Sequence, residues 1–337
     1  MSPLECPYDD RSVGTRNFLV LFCVISVMTI FLFITLAAQL SAANVAFAEQ
    51  PCKSTVVGDV RIEHFESKMY GTQMTVRVWL PIGYVDAANA NRKYPTLYMF
   101  DGQTLFDECT AFHGEHELQV DETVTKLVSE QQIPPIIVVG IDSSSKRNYE
   151  YSPYRDPISD PRAPEPIGKR LPSFLADELV PFVSSRYPVS DDPAHTGIGG
   201  TSLGASAALY VALNRPDLFR LLLIESPNLL LGNGQLLRDT AFIVRAPDRV
   251  AIGVGTTEVN FLKIEEYLAP LGLAERDTDP GAVRMVETLV SNLKGAYFKR
   301  PNIMLVVQPG ATHSSQYWAQ RLPDAIRFLY GNAEPKQ

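Results

Sequence analysis

The chain has 337 residues, of which 45% are hydrophobic, and its formal net charge is −8 at pH 7. This length and hydrophobic content are those of a globular protein with room for one large domain and its own core. The acidic balance argues against non-specific nucleic-acid binding, which needs a basic surface, so no nucleic-acid partner is expected.

The N-terminus begins with a segment unlike the rest of the chain. Arg11 and Arg16 precede an uncharged run over residues 18–40, and Ala46-Phe47-Ala48 follows. A positive start, an apolar stretch and an A-x-A site are typical of a secretory signal peptide, which predicts cleavage after Ala48. Because about 20 apolar residues also suffice to span a bilayer, an uncleaved membrane anchor is the alternative.

Both interpretations predict that the remainder is exported, to the periplasm or to the outside of the cell. They also predict that the protein contacts a membrane only through the N-terminal segment, and only if that segment is uncleaved. The expected organisation is a signal peptide or anchor over residues 1–48, a short tail over 49–55 and one folded domain over 56–332.

Four cysteines are present, and two of them, Cys6 and Cys23, lie in the targeting segment. Only Cys52 and Cys109 would remain after cleavage. Export makes a disulfide between them chemically possible, and two free thiols are the alternative. No C-x-x-C motif or Cys/His cluster occurs, so the sequence predicts no metal site.

Two early segments, residues 60–65 and 74–80, alternate apolar and polar side chains and are typical of antiparallel edge strands. Short continuous apolar runs follow, which are typical of strands buried on both faces of a parallel sheet. They cover residues 96–100, 136–141, 197–199, 221–224, 250–254 and 303–307. Helical patterns separate most of these runs, over residues 171–186, 203–214, 281–297 and 315–330. Strands that alternate with helices predict a doubly wound α/β sheet.

Residues 148–170 interrupt this alternation with a segment rich in Pro, Asp and Arg that also carries Tyr149, Tyr151 and Tyr154. The composition predicts a long surface loop. Long ordered loops in compact domains often belong to the active site, and a mobile insertion without a role is the alternative.

The strongest motif is Gly200-Thr201-Ser202-Leu203-Gly204, which follows an apolar strand and precedes a helical run. This context is the one in which a G-x-S-x-G sequence presents a nucleophilic serine on a sharp turn. The turn leaves no room for side chains two residues away on either side, and Gly200 and Gly204 meet that requirement. The sequence predicts Ser202 as the nucleophile, with a plain Gly-Ser turn as the alternative.

A serine hydroxyl reacts as a nucleophile only when a base takes its proton. In hydrolases that carry the G-x-S-x-G motif, the catalytic residues follow one another along the chain in the order serine, acid, histidine. Of five histidines only His313 lies far downstream of Ser202, in a loop directly after the last predicted strand. The C-terminal ends of strands are where open α/β sheets bind ligands. We therefore predict His313 as the general base; a surface histidine without a role is the alternative.

The acid that orients the histidine should follow a strand between Ser202 and His313. Glu258 fits, because it comes directly after the run 250–254. Three other carboxylates compete for the role, namely Glu225, Asp277 and Asp279.

An acyl-transfer site also needs donors for the developing oxyanion. The residue after the nucleophile supplies one backbone N–H, here that of Leu203. The second should come from the loop after an early strand, where Gly102 permits unusual backbone geometry and Gln103 offers its N–H. A simple Asp-Gly turn is the alternative there.

Several segments together resemble the putative esterase family, the enterochelin-esterase-like and feruloyl-esterase-like branch of the α/β hydrolases. They are residues 97–107, Val120-Asp121-Glu122-Thr123, residues 134–142, Arg147 with Glu150-Tyr151-Ser152-Pro153, the serine turn, and residues 313–331. The resemblance spans about residues 56–331. It implies the α/β-hydrolase fold and a triad of Ser202, Glu258 and His313. It further implies oxyanion donors at Gln103 and Leu203, no metal or organic cofactor, and a small-molecule or glycan-linked ester as substrate.

Two departures from the family imply a substrate that differs from those of its better-known branches. Ala205 stands where many members have a second glycine, and residues 112–119 lack a tryptophan that is often found there. The sequence thus predicts an exported serine esterase. An acyltransferase of the mycolyltransferase type, working through the same acyl-enzyme, and a non-catalytic binding module are the alternatives.

Overall fold

The computed structural model describes residues 52–112, 116–155, 164–258 and 279–331. Within these ranges, the residues from Ser54 onwards belong to one compact unit. The predicted signal segment, Asp277 and the middle of the predicted loop lie outside the described residues. Within the described ranges, no helix is both long enough and apolar enough to cross a membrane.

Eight strands form one sheet. They are β1 (Asp59–Ser67), β2 (Thr72–Leu80), β3 (Thr96–Phe100), β4 (Ile137–Ile141), β5 (Thr196–Thr201), β6 (Leu221–Glu225), β7 (Arg249–Gly255) and β8 (Asn302–Gln308). The spatial order is β1-β2-β4-β3-β5-β6-β7-β8. Strand β2 pairs antiparallel with β1 and β4, and all other neighbours are parallel.

The two kinds of strand pattern in the sequence correspond to two kinds of environment. Strand β1 alternates between more and less exposed side chains, whereas β3, β4, β5 and β6 are buried at every position. The alternating segments are the antiparallel edge and the continuous apolar runs are the parallel centre, which confirms the predicted sheet.

The helices longer than one turn are α1 (Val120–Ser129), α2 (Arg147–Tyr151), α3 (Leu171–Phe174), α4 (Val180–Ser184), α5 (Leu203–Asn214), α6 (Leu231–Asp239), α7 (Asp279–Lys294) and α8 (Ser315–Tyr330). A π-helical segment, Leu175–Leu179, joins α3 to α4. Helices α1 and α8 pack with one apolar cluster, and α3, α5 and α7 pack with a second one. Helices therefore cover both faces of the sheet, as predicted.

The predicted loop over residues 148–170 differs from expectation at its start. Its first residues belong to α2, and Tyr151 is only 3% exposed. The ring of Tyr151 packs edge-on against Phe100 at 4.9 Å, and its hydroxyl accepts a hydrogen bond from the backbone N–H of Asp101 at 3.3 Å. These contacts with the end of β3 bury a side chain whose neighbours in the sequence are polar.

Cys52 and Cys109 are each disulfide-bonded. Their pairing with one another stays a prediction. The tail that follows Cys52 is held to the domain by hydrogen bonds from the hydroxyl of Ser54 and the backbone N–H of Thr55 to Asp107, at 2.9 and 3.3 Å.

A buried hydrogen bond joins the end of the C-terminal helix to the centre of the sheet. The hydroxyl of Tyr330, at the end of α8, donates to the backbone carbonyl of Thr96 in β3 at 2.9 Å. The two residues are 234 positions apart in the chain. This contact holds the C-terminal end of α8 against β3.

We expect Tyr330→Phe to lower the free energy of unfolding by about 1 kcal/mol, because the buried carbonyl of Thr96 loses its donor. Urea denaturation of wild type and variant measures the change. The matched control is Tyr297→Phe, since Tyr297 is 83% exposed and its substitution should leave the midpoint unchanged. Equal losses in both variants would contradict this role of the hydrogen bond.

Candidate active site

The turn between β5 and α5 holds Ser202 in a backbone conformation that few residues adopt, with φ 55° and ψ −124°. Such a conformation is strained for a residue with a side chain. A Cβ atom added to Gly200 would lie 2.6 Å from the carbonyl carbon of Gly204, and one added to Gly204 would lie 2.8 Å from Oδ2 of Asp101. Crowding explains why the glycines flank the serine.

Three of the predicted residues come together above this turn. His313 lies in the loop between β8 and α8, and its Nε2 is 2.8 Å from Oγ of Ser202. Its Nδ1 is 2.7 Å from Oε2 of Glu258. Hydrogen bonds thus join Ser202 to His313, 111 positions apart in the chain, and His313 to Glu258, 55 positions apart.

Glu258 follows β7 and is 6% exposed. Burial alone would raise the pKa of this carboxyl group. Hydrogen bonds to it from His313, from the backbone N–H of Gly255 at 2.5 Å and from the hydroxyl of Ser226 at 2.7 Å outweigh burial and lower the pKa. Glu258 is therefore ionised at neutral pH.

The ionised carboxylate of Glu258 determines which ring nitrogen of His313 carries the proton. A carboxylate can only accept, so Nδ1 of His313 must carry the hydrogen that lies between it and Glu258. In the neutral ring Nε2 is then unprotonated and accepts the hydroxyl proton of Ser202. This is the tautomer that a general base for a serine requires.

The competing acid Glu225 occupies a different position at the end of β6. It is 2% exposed, and its Oε2 accepts a hydrogen bond from Nε of Arg321 in α8 at 2.7 Å. Complete burial outweighs the attraction of Arg321 and raises the pKa of Glu225 to about 7. Its carboxylate is engaged with Arg321, whereas the carboxylate bonded to His313 is that of Glu258.

The two predicted oxyanion donors are neighbours of the serine turn in different ways. Leu203 follows Ser202 in the chain, and Gln103 follows β3, the strand that pairs with β5. Leu203 is the first residue of α5, and Gln103 lies in a helical turn, Gly102–Thr104, directly after β3. The side-chain amide of Gln103 is fixed by Ser143, whose backbone N–H donates to Oε1 at 3.0 Å and whose hydroxyl accepts from Nε2 at 2.7 Å.

The reason for Gly102 differs from the expected one. The left-handed residue of this turn is Asp101, with φ 61°. A Cβ atom on Gly102 would lie 2.6 Å from the carbonyl carbon of Gly140 in β4, so the glycine is required by the close approach of two backbones.

A pocket of about 120 Å³ opens beside Ser202 and His313, lined among others by Phe112, Arg147 and Trp318. Arg147 donates two hydrogen bonds of 2.7 Å to Asp101 and lies 5.7 Å from the ring centre of Phe112. The pocket therefore combines an apolar wall with a charged pair.

One group of carboxylates could hold a metal ion in the part of the chain that the structure describes. Oxygen atoms of Glu117, Asp121 and Glu122 lie within 4.8 Å of one another. Burial, with Glu122 beside it, raises the pKa of Asp121 to about 8. A proton held by Asp121 at neutral pH lets these groups lie together without a cation.

The sequence did not assign a role to the residues behind the acid. There Ser226 donates a hydrogen bond to Glu258 and accepts hydrogen bonds from Trp318 and Arg321. Two signals in the sequence pointed to them: Ser226 lies two residues after the predicted run 221–224, and Trp318 lies in a segment that carries the resemblance.

A family model described as Putative esterase matches residues 67–329 of the chain. Among related sequences, the protein YbbA of Bacillus subtilis (strain 168) is 20% identical over 240 residues, which cover 71% of this chain and 86% of that protein. The endo-1,4-beta-xylanase/feruloyl esterase of Xylanibacter ruminicola is 24% identical over 281 residues, which cover 81% of this chain and 31% of that protein.

Among solved structures, the siderophore hydrolase EstB from Aspergillus nidulans has a TM-score of 0.60 at 18% identity. The match covers 85% of this chain and 100% of that chain. This likeness shows the fold, and it confirms the predicted α/β-hydrolase architecture.

The lowered pKa of Glu258 predicts a pH-dependent contribution to stability. A carboxyl whose folded pKa is depressed stabilises the fold above its unfolded pKa, about 4.3, and loses that contribution as the pH falls through the folded value. Wild type should therefore be more stable than Glu258→Gln near pH 7, and the difference should narrow on acidification. Urea denaturation from neutral to acidic pH measures it.

The control for this series is Glu287→Gln, since Glu287 is exposed on α7 and its substitution should give no pH-dependent difference. A difference between wild type and Glu258→Gln that stayed constant over the whole pH range would contradict the stabilised carboxylate.

Proposed function

The chain belongs to the putative esterase family and is a carboxylic ester hydrolase, and we propose that it works through an acyl-enzyme formed on Ser202. The observation that carries the proposal is the unbroken line of hydrogen bonds from Ser202 through His313 to Glu258. A hydroxyl, a base and an orienting acid in this sequence are the groups that nucleophilic acyl transfer needs.

In the proposed first step, Oγ of Ser202 attacks the ester carbonyl carbon while Nε2 of His313 accepts the hydroxyl proton. Glu258 stabilises the imidazolium, and the backbone N–H groups of Leu203 and Gln103 stabilise the oxyanion. His313 then gives the proton to the leaving alcohol. In the second step His313 takes a proton from water, the hydroxide attacks the acyl carbon, and the proton returns to Ser202 as the acid leaves.

The size of the pocket favours a small acyl group. Its volume of about 120 Å³ is close to that of a cavity of about 150 Å³ that holds benzene. The relative named as a feruloyl esterase suggests a small aromatic acid as one candidate. We propose a small-molecule or glycan-linked ester with a short or single-ring acyl part as the substrate class.

Ser202→Ala should lower the hydrolysis of p-nitrophenyl acetate by a factor on the order of 10⁴ to 10⁶, because no other group can form the acyl-enzyme. Release of p-nitrophenol measures the rate, and a fluorophosphonate probe should label wild type but not the variant. Ser129→Ala, which removes a serine hydroxyl from the exposed end of α1, is the control. Labelling of Ser202→Ala at the wild-type level would exclude this nucleophile.

The same acyl-enzyme could pass its acyl group to an alcohol, as in an acyltransferase. Glycerol or a sugar added to the assay separates the two reactions. With an esterase, the ratio of free acid to released alcohol stays the same when the acceptor is added. With a transferase, this ratio falls and the ester of the acceptor accumulates.

We also propose that the protein is exported and that cleavage follows Ala48, on the basis of the uncharged run over residues 18–40 and the A-x-A site. Intact-mass spectrometry of the secreted chain should give a polypeptide that begins at Glu49. It should also be lighter by two hydrogens than its reduced form if Cys52 and Cys109 are paired. A full-length chain in the membrane fraction would instead favour the anchor.

A further inference from the structure

Behind the acid of the proposed triad lies a second serine that the proposed reaction does not use. Ser226 follows β6 directly and is 4% exposed. Its Oγ lies 2.7 Å from Oε1 of Glu258, 2.9 Å from Nε1 of Trp318 and 3.4 Å from a terminal nitrogen of Arg321. One hydroxyl is thus the meeting point of three side chains from different parts of the chain.

The three neighbours settle the direction of the hydroxyl proton. The indole N–H of Trp318 and the guanidinium of Arg321 are donors only, so both must place their hydrogens on the oxygen of Ser226. The single proton of Ser226 is left for Glu258, which is an acceptor. The hydrogen bond between Ser226 and Glu258 therefore has one possible direction.

We propose that Ser226 is a positioning residue for Glu258, and that Trp318 and Arg321 orient Ser226 for this purpose. The inference rests on the proposed function, in which Glu258 holds and stabilises His313. Ser226 and Gly255 together bind Oε1 of the carboxylate, which leaves Oε2 directed at the imidazole.

The backbone at Ser226 supports this role. Its φ is 48°, in the left-handed region where a glycine would be accommodated without strain. The Oγ atom contacts Glu258, Trp318 and Arg321, and glycine could make none of these contacts. A side chain kept in an unfavourable backbone conformation indicates that the hydroxyl compensates for the strain.

Trp318 contacts both His313 and Ser226, the two side chains that bind the carboxylate of Glu258. Its ring meets the imidazole of His313 edge-on, with 5.0 Å between centroids and an interplanar angle of 89°. The N–H of the same ring orders Ser226. Arg321 is fixed in turn by Glu225 and by the side-chain carbonyl of Gln308, both at 2.7 Å, so its position does not depend on Glu258.

The test compares Ser226→Ala with Ser226→Gly, which both lack the hydroxyl but differ in backbone strain. Both should lower kcat for p-nitrophenyl acetate about 10- to 100-fold, the effect of one hydrogen bond to a charged group, with little change in KM. Because Glu258 loses a donor, its negative charge is less stabilised by Ser226 and attracts the imidazolium more strongly. The acidic limb of the pH profile of kcat/KM, at which the base of the reaction becomes protonated, should therefore move to higher pH in both variants. Titration of active sites with a fluorophosphonate restricts the rates to folded enzyme.

Trp318→Phe provides the second comparison, because it keeps an aromatic side chain beside His313 but lacks the N–H that orients Ser226. It should move the acidic limb in the same direction by a smaller amount. Ser226→Cys, which restores a weak donor, should recover part of the lost kcat.

An acidic limb at the wild-type position in both Ser226→Ala and Ser226→Gly would overturn the positioning role, whatever their stability. Full activity in Ser202→Ala would instead overturn the proposed function itself. The two failures are therefore distinguishable in the same assay.

Discussion

The hydrogen bond between Ser202 and His313 depends on the parallel arrangement of β5, β7 and β8. Parallel strands end at one edge of a sheet, and each of the three side chains that meet there follows its own strand. No pair of them is close in the chain, so the site cannot form before the sheet does. The register of the central strands is consequently a condition for the chemistry, and not only for stability.

Two buried carboxylates lie behind this edge, and their partners give them opposite properties. Glu258 has three donors, which lower its pKa, whereas Glu225 has its pKa raised by burial beside Arg321. An ionised group inside a protein is tolerated only where hydrogen bonds replace its lost water. The loop after β6, the last residue of β7 and the loop between β8 and α8 supply these donors through Ser226, Gly255 and His313, so three separate elements enclose one acid.

Much of the fold could be predicted, because the side-chain pattern of each strand indicates whether one or both of its faces are buried. The serine turn was also readable, since Gly200 and Gly204 are required by local crowding. The role of Gly102 was not, because its constraint comes from Gly140 on a neighbouring strand. Ser226 was missed for the same reason: its three partners are brought to it only by tertiary structure, and no spacing in the sequence records them.

The pocket and the serine turn are coupled through Asp101. This residue holds Arg147 by two hydrogen bonds on the pocket side, while its Oδ2 lies where a side chain on Gly204 would have to be. A change of side chain at Arg147 would leave the 2% exposed carboxylate of Asp101 with fewer partners, directly beside the strained turn. A substitution at Arg147 therefore acts both on the wall of the pocket and, through Asp101, on the surroundings of the turn that holds Ser202.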